Sequence, residues 1–232
     1  QAHGLLDCGG VFAGKTGADA TPDQRLSTRR VLFATTEDIE HGPGSGHPTG
    51  STWAGCSGLV MLMPRELSLG MRGSQPFLRI APVKETEALR GKPLVDAATA
   101  PVTFTQTGAQ VEVVASCAAS EPGVTVSVLA TADGTEGVAV SYSRANATLS
   151  VDRSKSNLAP GSTGGGTGVQ QAPHSNPDSS FELRVFADGG LLQVFLDEAV
   201  ALTSILNLTA PTSAGFVPPW ARGVAVSGGK GC

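Results

Sequence analysis

The 232-residue chain is predicted to be all-β. Its 30 glycines and 15 prolines punctuate the sequence at turn spacing, a composition that suits short strands and tight turns. Apolar runs of strand length recur between those breaks. The clearest is Phe181-Glu182-Leu183-Arg184-Val185, which alternates strictly and so gives one face to a core and one to water. Repeated strands at this spacing, without convincing amphipathic helices, point to an antiparallel sandwich.

Taken in order, the first segment alternates short apolar runs with polar loops. Val31–Ala34 and Leu59–Met63 read as strands, and Glu40–Ser51, rich in Gly and Pro, reads as a loop between them. Ala81–Arg90 is the one stretch with helical character, with Pro82 suited to a first turn, and it reads as a connector. Strands then recur at Val102–Phe104, Gln110–Ala115, Val124–Ala130, Val138–Tyr142 and Thr148–Val151. Residues 157–180 form a long Gly/Ser/Pro loop whose Gly161–Gly166 part cannot bury apolar area and reads as mobile. After Phe181–Val185, Asp188-Gly189-Gly190 predicts a hairpin turn, and the chain returns with either Leu192, Val194 and Leu196 or Leu191, Gln193 and Phe195 on the core face.

Composition narrows the function classes. Charged residues make up 16% of the chain and the net charge is −4, so there is no basic surplus for nucleic acid. No apolar run reaches the roughly 18 residues of a membrane-spanning helix. The start, Gln1-Ala2-His3-Gly4, lacks the charged and apolar parts of an intact signal peptide and reads as a processed or truncated end. Cys8, Cys56, Cys117 and Cys232 have no metal-binding spacing; one or two disulfides are open to them, with the pairing unassigned. Two glycosylation sequons, at Asn146 and Asn207, fit a secreted or vacuolar protein.

Gly9 to Thr16 satisfies the phosphate-binding expression G-x-x-x-x-G-K-[ST] letter for letter. That chemistry needs a helix starting at the Lys, with its N-terminus facing the phosphates. Gly17 to Asp23 lacks an apolar period and contains Pro22, and the chain offers no strand–helix–strand units for a parallel sheet. The match reads as accidental. His41 and His47 lie in a Gly/Pro loop, His3 at the terminus and His174 in the long polar loop, none in a metal-ligand pattern. Ser51, Ser57 and Ser154 lack a nucleophile-elbow setting. Asp152-Arg153 reads as an ion pair or turn cap.

Another pattern orders these residues better. Asp7-Cys8-Gly9-Gly10-Val11-Phe12-Ala13-Gly14-Lys15-Thr16, Arg29-Arg30-Val31-Leu32-Phe33, Trp53-Ala54-Gly55 and Pro64-Arg65-Glu66-Leu67 follow one another, then Pro82-Val83 through Leu89-Arg90. Val138 to Ser156 and Phe181 to Ser204 complete the series. In order and spacing it resembles the C-terminal part of glycoside hydrolase family 32, the invertases and fructan hydrolases. The likeness runs from about Leu6 to Gly223.

That resemblance implies a partial β-propeller blade followed by an antiparallel β-sandwich. Residues 1–80 would be the last blade of the catalytic propeller, 81–92 the connector and 93–232 the sandwich. In the family a five-bladed propeller holds the active site. The nucleophile is an Asp of an Asn-Asp-Pro-Asn motif, the acid/base a Glu of Glu-Cys, and the transition-state stabiliser an Asp of Arg-Asp-Pro. Two such carboxyls about 5–5.5 Å apart perform retaining hydrolysis. None of these motifs occurs here, so no catalytic residue is assigned within the chain and the carboxylates are expected upstream of Gln1.

One substrate-facing position is implied. Asp7 matches the Asp of the family's Asp-x-Gly-Lys, which holds the sugar, while Gly10 stands where the Lys would fix it. A turn cap before Gly9-Gly10 explains Asp7 equally well. Thr35 stands in place of the second Trp of a Trp-Gly-Trp landmark, and Cys56–Leu59 reads as an insertion. The function implied is the C-terminal portion of a β-fructofuranosidase-like glycosidase acting on sucrose or a fructan oligosaccharide. The implied partners are the upstream blades of the same protein and, as in some relatives, a second copy in a homodimer. No metal, cofactor, nucleic acid or membrane is implied. The alternative is a stand-alone, non-catalytic sandwich that binds carbohydrate or another subunit.

Overall fold

A computed structural model describes residues 6–18, 29–36, 60–95, 99–156, 168–174, 179–206, 221–228 and 231–232. Four strands form an antiparallel meander in chain order: β1 (Val11–Ala18), β2 (Arg30–Thr36), β3 (Arg65–Arg72) and β4 (Gln75–Pro82). A short 3₁₀ helix, Lys84–Leu89, leads away from it. Ten further strands follow: β5 (Val102–Phe104), β6 (Gln110–Cys117), β7 (Gly123–Ala130), β8 (Val138–Ser143), β9 (Thr148–Asp152), β10 (Val169–Pro173), β11 (Phe181–Asp188), β12 (Leu191–Leu196), β13 (Val200–Ile205) and β14 (Gly223–Gly228).

These ten form two antiparallel sheets. One has the order β10-β9-β8-β7-β14-β5 and the other β13-β12-β11-β6. Their inner faces meet in the main core. Val124, Val126 and Val128 of β7, Val138, Val140 and Tyr142 of β8, and Leu149 and Val151 of β9 oppose Phe181, Leu183 and Val185 of β11 and Leu192, Val194 and Leu196 of β12. β-Branched residues dominate the inward positions, as a pleated, half-buried surface favours. Tyr142 meets Phe181 edge-on at 4.8 Å between ring centroids. The all-β sandwich predicted from the sequence is what forms.

The predicted hairpin is present: Asp188 pairs with Leu191 across a two-residue turn, and Gly189 takes the left-handed conformation at φ 55°. Both readings of the return strand are partly right. Leu192, Val194 and Leu196 face the sandwich core, while Leu191 and Phe195 pack towards the meander. Strand β12 is thus buried on both faces, which is why it reads as a nearly continuous apolar run.

Four expectations need correction. The long polar loop is interrupted by β10, a polar edge strand paired with β9 whose Ala172 is fully buried beside Leu149; its Gly161–Gly166 part lies outside the described residues. His174 is not a loop residue in solvent. It closes β10 with 4% exposure, its Nε2 2.8 Å from Asp197 Oδ2 and its backbone N–H donating to Ala147 O at 2.8 Å. Leu59–Met63 forms no strand over its described residues: Met61 makes a single bridge to Thr35, and Leu62 is buried beneath Leu32 and Ala34. The helical connector is present as a 3₁₀ helix, but Pro82 ends β4 instead of opening that helix. Strands β1, β3, β4, β13 and β14 add to those that the sequence predicts.

Cys117 at the end of β6 is disulfide-bonded to Cys232, at a sequence separation of 115. A bond closing so long a loop removes much of the unfolded chain's freedom, on the order of 4–5 kcal/mol in the chain-entropy account. Cys232→Ser, or reduction, is therefore expected to lower the unfolding free energy by about 2–5 kcal/mol in urea titration.

Candidate functional site

Asp7, the one substrate-facing position the sequence nominates, lies where the meander meets the sandwich. Residues just before β1 run beside β13: Cys8 N–H donates to Ala201 O at 2.9 Å and Gly10 N–H to Thr203 O at 2.9 Å. Gly9 sits so close to β13 that a Cβ there would lie 1.9 Å from Thr203 O, so only glycine fits. Asp7 turns this segment by accepting from Gly9 N–H at 2.6 Å, the turn-cap geometry.

The carboxylate does more than cap. Oδ1 also accepts from Thr203 N–H at 3.0 Å. Oδ2 accepts from Arg65 Nη1 at 2.7 Å and from Thr203 Oγ1 at 2.7 Å. Four donors occupy its roughly four lone-pair positions, and the side chain is 2% exposed. A sugar hydroxyl would have to displace one of these bonds to reach it.

Arg65 is the partner that sequence reasoning did not supply when Gly10 was found at the Lys position. It opens β3, 58 residues from Asp7, with a side chain 1% exposed. Nη2 donates to Thr203 Oγ1 at 2.7 Å and to Gln193 Oε1 at 3.3 Å, and the guanidinium lies 5.2 Å from the Phe195 ring centroid. Asp7 precedes the meander, Arg65 belongs to it, and Gln193, Phe195 and Thr203 belong to β12 and β13. The only sequence signal was an arginine within the Pro64-Arg65-Glu66-Leu67 landmark; its charge partner is fixed by the fold.

Chemically this cluster holds; it does not react. The ions are paired, hydrogen-bonded and removed from water. Cys8 beside it is half-buried, and burial, followed by the neighbouring Asp7 charge, pushes its thiol upward in pKa, away from the reactive thiolate. Apolar contacts flank the ions: Ile80, Phe195 and Ala201 on one side, Leu32, Ala34 and Leu62 with Leu191 on the other.

The other nominated residues are scattered. Asn146 is exposed in the β8–β9 turn, whereas Asn207 lies outside the described residues. Asp152 accepts from Ser154 N–H at 2.9 Å, a turn cap, and Arg153 is buried with Nη1 directed to Ile205 O at 3.4 Å. Lys15 and Thr16 lie in the middle of β1, paired antiparallel with Phe33 and Leu32, so no helix follows the phosphate-loop expression. His3, His41, His47, Ser51, Ser57 and Cys56 lie outside the described residues. Among the described residues, no group of three or more His, Cys, Asp or Glu side chains is placed to hold a metal ion.

Removing one partner strands the other charge in a dry interface, a loss of about 3–5 kcal/mol for a buried pair. Arg65→Met is expected to show that loss in urea unfolding. Asp7→Asn, which keeps the size and some acceptor capacity, should lose less, about 1–3 kcal/mol. Unchanged midpoints in both variants would remove the cluster from the supports of the fold.

The fold is shared with fructoside-processing enzymes. The exo-inulinase of Aspergillus awamori superposes with a TM-score of 0.74 at 18% identity, over 97% of this chain and 42% of its own. The fructosyltransferase of A. japonicus gives 0.65 at 20% identity, over 98% and 45%. The family 32 β-fructofuranosidase of Bombyx mori gives 0.63 at 15% identity, over 97% and 40%. The chain thus spans under half the length of these enzymes. No curated protein matches it by sequence. The model of the glycosyl hydrolases family 32 C-terminal region matches residues 81–217, more than half of the chain. The protein belongs to glycosyl hydrolase family 32, and this match covers the family's C-terminal domain.

Proposed function

We propose that the chain serves as the last propeller blade and the C-terminal sandwich of a β-fructofuranosidase-like glycoside hydrolase. The complete enzyme cleaves the β-fructosidic bond of sucrose or a fructan through a covalent fructosyl intermediate. The nucleophile and the acid/base are supplied by blades that precede the meander, and the sandwich holds the last blade in place.

The observation that carries this reading is the two-sidedness of the meander. Leu32 and Ala34 of β2 and Ile80 of β4 are buried on the sandwich side. On the opposite face Phe33 is 49% exposed and Met61, bridged to the neighbouring Thr35, is 61% exposed. Phe77 and Val31 share that face by register. Phe33 and Met61 leave apolar area open on this face, which suits another protein layer, and a preceding blade supplies one of the right shape. Leu69 and Met71, exposed as well, belong by register to the Leu67 and Ile80 face. Asp7 then acts as a positioning residue: it sets the turn entering β1 and ties that strand to β13.

An oxidising, secretory route accompanies this role. The Cys117–Cys232 bond belongs to such compartments, and the exposed Asn146 turn is open to glycan transfer.

Sucrose and inulin hydrolysis, followed by released fructose, tests the assignment. The 232-residue chain alone is expected to release none, and a protein extended by its upstream coding sequence is expected to release it. Turnover by the purified chain alone would defeat the proposal. In a eukaryotic secretory host, the product should lose a glycan's mass on Asn146→Gln; an unchanged mass would remove that site.

A further inference from the structure

A hollow of about 330 Å³ opens on the outer face of the six-stranded sheet, at the lower end of the ~300–1,000 Å³ range of small-molecule sites. Its floor follows from register. Thr103 pairs with Ala225, Ala225 with Ser127, Ser127 with Ala139, and Ala139 with Asp152. One rung thus crosses β5, β14, β7 and β8 with small side chains and reaches Asp152 on β9, which pairs in turn with Val169 of the edge strand β10. The inward valines of the same strands keep the sheet rigid beneath it.

The walls are fixed too. The loop between β7 and β8 rises on one side, with Gly134 at φ 69° and Gly137 at φ 155°. Its Glu136 is buried against Arg222 at 2.8 Å, while Arg222 Nη1 donates to Leu129 O at 2.9 Å. Gly137 N–H donates to Lys155 O at 3.0 Å, tying this loop to the Ser154-Lys155 turn opposite. A hollow held this way needs little ordering when a ligand enters.

Its chemistry selects by class. Hydrogen bonds from the Ser154 hydroxyl and backbone N–H hold the Asp152 carboxyl below the usual carboxylate range, so it is an anionic acceptor at neutral pH. Lys155 places a donor and an opposite charge on the same rim. Among the described residues, the side chains of Thr103, Thr105, Ser127 and Lys155 have no hydrogen-bond partner, although all four line the hollow. One charge of each sign on the rim disfavours a net anion or cation. Unspent hydroxyls that donate and accept suit a ligand whose groups do both, and the Ala139 and Ala225 methyls suit the C–H face of a ring.

We propose that this hollow binds a neutral mono- or disaccharide, its ring lying on the Ala225–Ser127–Ala139 rung and its hydroxyls bonded to Asp152, Lys155 and Thr103. The site lies wholly within the described residues and does not depend on whether the complete protein cleaves fructosides. Titration of the ¹⁵N-labelled chain with sucrose and with D-fructose, followed by amide shifts, tests it. Saturable shifts in the millimolar range are expected at Ser127, Ala139, Ala225 and residues 134–137. Ala139→Trp, which fills the floor from an outward position, should weaken binding about tenfold or more, the equivalent of about 1.4 kcal/mol. Lys155→Ala, an exposed change, should weaken it severalfold with the fold unchanged. Failure of both sugars to give saturable shifts, or shifts that survive both substitutions at full strength, would overturn the site. Fructose release by the extended protein is read separately, so the two readings fail independently.

Discussion

The arrangement depends on one buried arginine. Arg65 bonds to a carboxylate from the chain entry, a hydroxyl from β13 and an amide oxygen from β12, and lies against an aromatic ring. A charge taken out of water to this degree is tolerated only when each neighbour is in place. Its pairing therefore imposes a position on three segments at once: the Leu6–Gly10 turn, the meander and the four-stranded sheet of the sandwich. The meander cannot slide along the sandwich without stranding an ion, whereas apolar contacts alone would permit some sliding. Buried charges need not add net stability; here the geometry gives the pair a role in register.

Peripheral ion pairs repeat this theme more weakly. Arg29 bridges Glu66 of β3 and Glu85 of the 3₁₀ helix, and hydrogen bonding to Arg29 holds the Glu85 carboxyl down to about 2. Arg90 reaches Glu112 of β6, and Arg79 of β4 pairs with Glu198 at the β12–β13 turn. These pairs are solvent-facing and individually worth little. Their placement along the connector and the turn keeps the 3₁₀ segment against both bodies.

Legibility in the sequence followed the range of the interaction. Phe181–Val185 announced its strand because the pattern is local: each inward residue lies two positions from the next. The same holds for β7 and β8. Strand β10 was hidden because Val169-Gln170-Gln171-Ala172-Pro173 buries only Ala172 fully, and edge position rather than periodicity makes it a strand. His174 was hidden for a related reason, since its partner Asp197 belongs to another sheet's hairpin turn. The family resemblance brought Asp7 and Arg65 to notice as separate landmarks, yet nothing local joins residues 58 apart. Gln193 in an apolar strand was the one odd letter that marked the junction. The Cys117–Cys232 pairing, separated by 115 residues, was likewise beyond any spacing rule.

The two sheets of the sandwich divide labour by what their outer faces carry. Phe186, Phe195 and Ala201 point outward from β11, β12 and β13 and are covered by Leu67, Leu78 and Ile80 of the meander. An isolated two-layer sandwich would expose these side chains, so the four-stranded sheet is a middle layer with cores on both faces. The outer face of the six-stranded sheet instead carries Thr103, Thr125, Ser127, Ser141 and Ser150, with Thr125 and Ser141 bonded at 2.9 Å. Such a face can remain in water. The sequence writes this asymmetry as two strand grammars: continuous apolar letters in Leu191–Leu196, and valine alternating with small hydroxyl residues in Gly123–Ser127 and Val138–Ser143. A chain that buries one sheet twice and wets the other is built to be docked on one side and open on the other.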